Sequence, residues 1–290
     1  MAVNTSLIKE LRERTGAGMM DCKKALEHSN NDVEKAVDWL RENGIAKAAK
    51  KSTRIAAEGT TEIAINGNAA ALVEVNSETD FVAMNETFKS LVKEIAEAIV
   101  KNQPKTLEEA LAIPYGEGTL NDKIVNATAT IGEKITLRRF AVVTKNDDEI
   151  FGTYLHMGGK KGSIVVVTGN NQEVATDMAM QVVATLPTYI HKTDVPAEYI
   201  EKELKIRLEA SKANGRELTN PKAIEGLKGK IADEVSLLEQ DFIKEDKIKV
   251  GQYLKQHQAT VTKMVYYIVG EGLEKKEDNF VEEVMSQIKQ

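Results

Sequence analysis

Thr60-Thr61-Glu62-Ile63-Ala64-Ile65-Asn66-Gly67-Asn68-Ala69-Ala70-Ala71-Leu72-Val73-Glu74-Val75-Asn76 decides the fold class of this chain. Two runs, Thr60 to Ile65 and Ala69 to Asn76, alternate with the two-residue period of strands. They flank Asn66-Gly67, a hairpin signal because both residues tolerate positive φ. A polar loop, Ser77-Glu78-Thr79-Asp80, leads to a helix with Phe88, Leu91, Val92, Ile95 and Ile99 on one face. Thr106 with Glu109 reads as a capping box for a short helix. A further helix covers about 119–129, and a strand follows over Lys134 to Thr144.

The same order returns downstream. Glu149 to His156 and Ser163 to Thr168 read as strands joined by the glycine-rich Met157 to Gly162. A helix covers about Gln172 to Ala184, and much later Val250 to His257 reads as a helix and Val261 to Val269 as a strand. Gly59-Thr60…Val73-Glu74-Val75 parallels Gly152-Thr153…Val165-Val166-Val167. Two duplicated α+β core subdomains are therefore expected. The second carries an insertion at about 196–235: Pro196 opens a helix striped with Ile200, Leu204 and Leu208, Asn214-Gly215 breaks it, and Pro221 starts another with Ile224, Leu227, Ile231 and Val235. This predicts an antiparallel helical hairpin. Asp278 to Gln290 reads as a C-terminal helix with Phe280, Val281, Val284 and Ile288 aligned.

Ahead of the hairpin, residues 1–44 read as three short helices. Leu7, Ile8 and Leu11 mark the first, which ends at Gly16-Ala17-Gly18. Met19, Cys22 and Leu26 mark the second. Val33, Ala36, Val37 and Leu40 mark the third, with Asn31 as its N-cap and Gly44 as its stop. Ala46 to Arg54 reads as a basic, partly helical linker. The expected division is 1–54, 55–144, 145–274 with the insertion, and 275–290.

Composition narrows the function classes. The 290 residues exceed one ordinary core. A net charge of −6 disfavours a nucleic-acid binder, since such proteins show a basic footprint. The alternative from that class, a nucleic-acid site on Lys47 to Arg54, is short and lacks interleaved aromatics. No apolar run is long enough to span a bilayer, and Met1 opens onto polar Asn4 to Ser6 rather than a signal segment. A lone Cys22 fits a reducing compartment, and a cytoplasmic protein is expected. His28, His156, His191 and His257 are scattered and show no metal-ligand spacing. No Gly-x-Ser-x-Gly elbow occurs. Gly158-Gly159-Lys160-Lys161-Gly162-Ser163 has the composition of a phosphate loop without its order or its following helix. An enzyme, a cofactor and a resident metal are not expected.

Two features ask for explanation. Phe81, Val82 and Met84 are large apolar groups in a β-to-α connection that should be polar, directly beside Asp80. The pattern favours Phe81 as a staple of the helix start to the core. The other reading is an exposed aromatic anchor for a partner. Second, Met19-Met20 follow a Gly-Ala-Gly turn; Met19 fits the apolar stripe and Met20 falls off it.

Three segments carry a family likeness: Leu11-Arg12-Glu13-Arg14-Thr15-Gly16-Ala17-Gly18-Met19-Met20-Asp21-Cys22-Lys23-Lys24-Ala25-Leu26, then Glu74-Val75-Asn76-Ser77-Glu78-Thr79-Asp80-Phe81-Val82-Ala83, then Gly270-Glu271-Gly272. With the element order, they make the chain resemble the elongation factor Ts family over essentially its whole length. The resemblance implies a nucleotide exchange factor that binds the GDP-bound GTPase elongation factor Tu, dislodges its magnesium and releases GDP. It implies that the first bundle is of the ubiquitin-associated type and docks on the nucleotide-binding domain, with Lys9, Arg12, Met19 and Met20 as candidate contacts. It implies that Thr79, Asp80, Phe81 and Val82 form the magnesium-displacing motif. It further implies that the second half, including the strand ending at His156, meets the GTPase's third domain, and that the hairpin is an arm that dimerises some members.

Overall fold

The computed structural model describes residues 4–216 and 218–274. The expected C-terminal helix over 278–290 lies outside them. The chain is α+β and divides into two compact units. Among the described residues, one comprises 4–62, 73–140 and 268–274, the other 63–72, 141–216 and 218–267.

The first unit opens with α1 (Thr5–Thr15), α2 (Met19–His28) and α3 (Val33–Lys51). Asn4 caps α1, and Gly16 closes it at φ 67°, a left-handed turn that suits glycine. Leu11, Cys22, Ala25, Leu26 and Ala36 fill the bundle's interior. Two expectations fail in α3. Its N-cap is Asp32, whose carboxylate accepts from Lys35 N at 3.1 Å. Asn31 is instead left-handed at φ 65° in the turn that ends α2. Gly44 does not stop the helix: it lies buried in mid-α3.

The reason is a neighbour. A β-carbon on Gly44 would meet Ala129 Cβ at 3.5 Å, an ordinary contact, so the position faces a packed helix and not a chain end. The partner helix is α7 (Leu120–Ile131), which packs along α3. Arg41 reaches Asp122 at 3.3 Å and Lys51 Nζ donates to Thr128 O at 3.4 Å. Residues 46–51 are thus the last turns of α3.

Beyond α3 come β1 (Glu58–Asn66) and β2 (Ala69–Ser77). The turn between them centres on Gly67-Asn68, one residue later than expected, with positive φ at Gly67 alone of that pair. The next elements are α4 (Asp80–Met84), α5 (Glu86–Asn102), α6 (Leu107–Leu111), β3 (Pro114–Tyr115) and β4 (Gly118–Thr119), which lead into α7. After α7 comes β5 (Thr136–Thr144), and the sheet order is β1-β2-β5. Phe88, Leu91, Val92, Ile95 and Ile99 of α5 are buried as the stripe predicts. The central strand β2 is buried at every position, so its alternation does not separate an inner from an outer face.

In the second unit β6 (Glu149–His156) pairs antiparallel with β7 (Lys161–Thr168), from Glu149↔Thr168 to His156↔Lys161. Next come α8 (Gln172–Thr185), α9 (Ala197–Ala213), α10 (Pro221–Glu234), α11 (Val250–Gln256) and β8 (Val261–Ile268), which completes a β6-β7-β8 sheet. β7 is covered on both faces. Val165 and Val167 join Met178 and Val182 of α8, while Ile164 and Val166 join Ala70, Leu72 and Phe151. That two-sided burial accounts for its continuous valine run. In the insertion, α9 and α10 are tied by Arg207–Glu234 and Lys228–Glu201 ion pairs.

Candidate functional site

The connection from β2 to α5 contains one turn of helix, α4, held at both ends. Thr79 is its N-cap, its hydroxyl oxygen accepting from Val82 N at 3.4 Å. Asn85 closes α4 and simultaneously caps α5, accepting from Thr87 N at 2.8 Å. A single isolated turn is unstable in water, because nucleation fixes several dihedrals for one hydrogen bond. These anchors therefore set which way its side chains point.

Phe81 points out. It is 79% exposed, and Met84 on the same turn is 58% exposed. The staple reading is corrected: Ala83 is the residue of α4 that turns inward, and Phe88, fully buried on α5, fills the core position. The β-to-α connection that holds Phe81, Val82 and Met84 contains a helical turn of its own, and the cap at Asn85 separates its phase from that of α5. Asp80, also exposed, begins α4, where a carboxylate complements the positive end of the helix dipole. Thr79 and Val82 are half-buried.

A second layer, not evident in the sequence reading, lies behind Thr79. The Thr79 hydroxyl donates to Glu133 Oε1 at 2.6 Å, and Oε2 accepts from the backbone N–H groups of Thr79 at 3.0 Å and Glu78 at 3.1 Å. Lys134 N donates to Glu78 Oε1 at 2.6 Å, and Lys134 Nζ donates to the carbonyls of Ser52 at 2.6 Å and Arg54 at 2.9 Å. Nothing local to Glu133 signals this, since its partners lie over 50 residues earlier. Further in, Glu74 on β2 is a buried carboxylate bonded to Arg138 and Arg139 of β5. Among the described residues no group of three or more His, Cys, Asp or Glu side chains could hold a metal ion.

The other candidate contacts lie elsewhere. Lys9 and Arg12 are exposed one turn apart on α1. Met19 and Met20 begin α2 at 59% and 62% exposure, so Met19 does not belong to the apolar stripe that Cys22 and Leu26 carry. In the second unit, His156 ends β6 half-buried, with Nδ1 at 3.2 Å from the Tyr154 hydroxyl. Met157 beside it, 72% exposed at φ 50°, is an apolar tip the sequence reading passed over as loop.

Comparison with known families decides the identity. The family model described as Elongation factor TS matches residues 78–271, and one described as Elongation factor Ts, mitochondrial, N-terminal matches residues 1–49. The chain belongs to the elongation factor Ts family. Its place is thus in protein biosynthesis, as an elongation factor of the nucleotide-exchange kind whose partner is elongation factor Tu. This family works by exchange and not by covalent catalysis. No described helix is long and apolar enough to cross a membrane.

Proposed function

We propose that this elongation factor Ts family member engages the GDP-bound form of elongation factor Tu and drives GDP out by pressing the α4 turn toward the magnesium site. The observation that carries this is Phe81, 79% exposed on a turn anchored at both ends. An aromatic ring kept in water in the free protein is free to gain burial energy in a partner's pocket. Exchange factor and GDP bind the same GTPase with unfavourable coupling, so each weakens the other by the same factor. Magnesium offsets the phosphate charge, and displacing it removes much of the nucleotide's affinity. Thr79 and Val82 set the turn, while Asp80 and Phe81 intrude. Stopped-flow release of fluorescent GDP from elongation factor Tu, with and without this protein, tests the reading; an unchanged release rate overturns it.

The remaining assignments form one proposal. The functional division is 1–54, 55–144, 145–274 and 275–290, the middle two being duplicated subdomains. The first bundle is ubiquitin-associated-like and docks on the nucleotide-binding domain through Lys9, Arg12, Met19 and Met20. The β6 end at His156 meets the third domain. The α9–α10 arm is the element for a homodimer, which sedimentation would detect. Neither nucleic acid nor membrane is a partner. In support, cations of the basic patch are engaged within the chain, Lys47 with Asp21 at 3.0 Å and Arg54 with Glu78 at 3.3 Å. The cytoplasm is proposed because the single free thiol, Cys22, is buried and suits reducing conditions. The matched N-terminal model is described as mitochondrial, and cell fractionation distinguishes the two compartments.

A further inference from the structure

We infer that Glu133 is a positioning residue for exchange, the group that aims the Phe81 turn. The inference rests on the proposed role of Phe81. One carboxylate collects three donors from the two residues preceding α4: the Thr79 hydroxyl at 2.6 Å and the Thr79 and Glu78 N–H groups at 3.0 and 3.1 Å. Such charge-assisted bonds are stronger than neutral ones.

The arrangement also fixes a direction. A hydroxyl carries one hydrogen, and that of Thr79 is committed to Glu133. Its lone pairs alone remain for the Val82 N–H at 3.4 Å, which is the cap of α4. The Val82 N–H can only donate, so what Glu133 adds is orientation: by taking the hydroxyl hydrogen it holds the Thr79 rotor with its lone pairs toward the cap bond. Glu133 is itself held in place. It follows Gly132, the left-handed cap of α7 at φ 92°, and precedes Lys134, whose N–H and Nζ are both bonded. The acceptor is thus fixed before any partner arrives, so less ordering remains to be done on binding. Loss of Glu133 frees the Thr79 rotor, weakens the cap and lets Phe81 sample directions that miss its pocket.

The test is a double-mutant cycle on the full chain, read as GDP release from elongation factor Tu at saturating factor. Glu133→Ala should slow release by about tenfold or more, as expected for lost hydrogen bonds to a charged group. Phe81→Ala should slow it as well. If Glu133 acts through Phe81, the double variant is no slower than Phe81→Ala alone, within about twofold. Effects that multiply, or a Glu133→Ala protein with the normal rate while Phe81→Ala is slow, overturn the inference and leave the role of Phe81 standing. A Phe81→Ala protein with the normal rate instead removes the wedge and with it the basis for Glu133. If Glu133→Ala does not fold, Glu133→Gln completes the same cycle: it keeps the shape and one acceptor oxygen, and an intermediate rate is expected.

Discussion

The backbone N–H of Gly270 donates to Oε1 of Glu74 at 2.8 Å, joining positions 196 residues apart in sequence. Glu74 has no solvent exposure. Arg138 bonds its Oε1 at 2.8 Å and Arg139 its Oε2 at 2.5 Å, and Arg139 extends to Glu271 at 3.2 Å. Two sequence segments that carry the family likeness, one opening at Glu74 and the other Gly270-Glu271-Gly272, are therefore two sides of one buried contact. Burial alone would raise the pKa of Glu74. The Gly270 N–H and the two guanidinium groups outweigh it and hold the carboxyl below the usual range.

The first prediction follows from that sign. As pH falls through the ordinary glutamate value of 4.5, the unfolded chain takes up a proton that folded Glu74 still refuses. Stability contributed by the cluster is thus present above that value and is lost as pH drops through the depressed folded pKa. Glu74→Gln should cost about 3 kcal/mol near neutrality, since it leaves two arginines facing an uncharged partner. Urea unfolding of both proteins across acid pH checks this. The gap should narrow on acidification, and a constant gap contradicts the prediction.

Phe81 and Phe88 give a matched pair. Phe88→Ala, at a fully buried site, should destabilise the fold by about 3–5 kcal/mol. Phe81→Ala should change stability by about 0.5 kcal/mol or less. Its loss should appear in coupling to elongation factor Tu, by about 2 kcal/mol or roughly thirtyfold. Denaturant unfolding and GDP release measured on the same preparations separate the two effects.

Gly44→Ala should stabilise the protein by about 0.5–1 kcal/mol, because alanine is the better helix former and loses less backbone freedom on folding. Its methyl would sit at ordinary contact distance from Ala129 and Asn126. A lowered Tm would show that the two helices approach more closely than this.

The distal arm should be dispensable for exchange. Leu204, Ile231 and Ala232 are buried at its base, while Leu208, Leu218 and Leu227 line a small groove near its tip. Replacing residues 208–227 with a short glycine-serine loop should leave GDP release within about twofold, because the arm is proposed as the dimer element and not as part of the exchange surface. A folded deletion that no longer releases GDP would place the arm in the active surface.

Much of the fold was legible because local signals agreed. The Gly16 stop, the Thr106 cap of α6, which accepts from Glu109 N at 3.1 Å, and the α5 stripe each follow from one rule of spacing. Failures came where a residue answered to a distant neighbour. Gly44 looks like a stop until Ala129 faces it. Asn31 looks like a cap, but with Asn30 it takes the positive φ that closes α2, which moves the cap to Asp32. Glu74 was read as one more position in a strand, since a strand buried on both faces gives no alternation to betray a charge inside. At the site, the motif was legible but the exposure of Phe81 was not, because it depends on a separate helical turn, closed by Asn85, within what reads as a connection.

The unbroken course of α3 has a geometric cost for any change in its length. A flexible tether absorbs an inserted residue with little effect. A continuous helix does not: each added residue rotates what precedes it by about 100° and shifts it about 1.5 Å along the axis. An insertion between Arg41 and Lys51 would carry the whole bundle, Lys9, Arg12, Met19 and Met20 included, around α7 like a key turned in its lock. The spacing of this segment is in effect a built-in gauge that fixes both the angle and the distance at which the bundle meets α7.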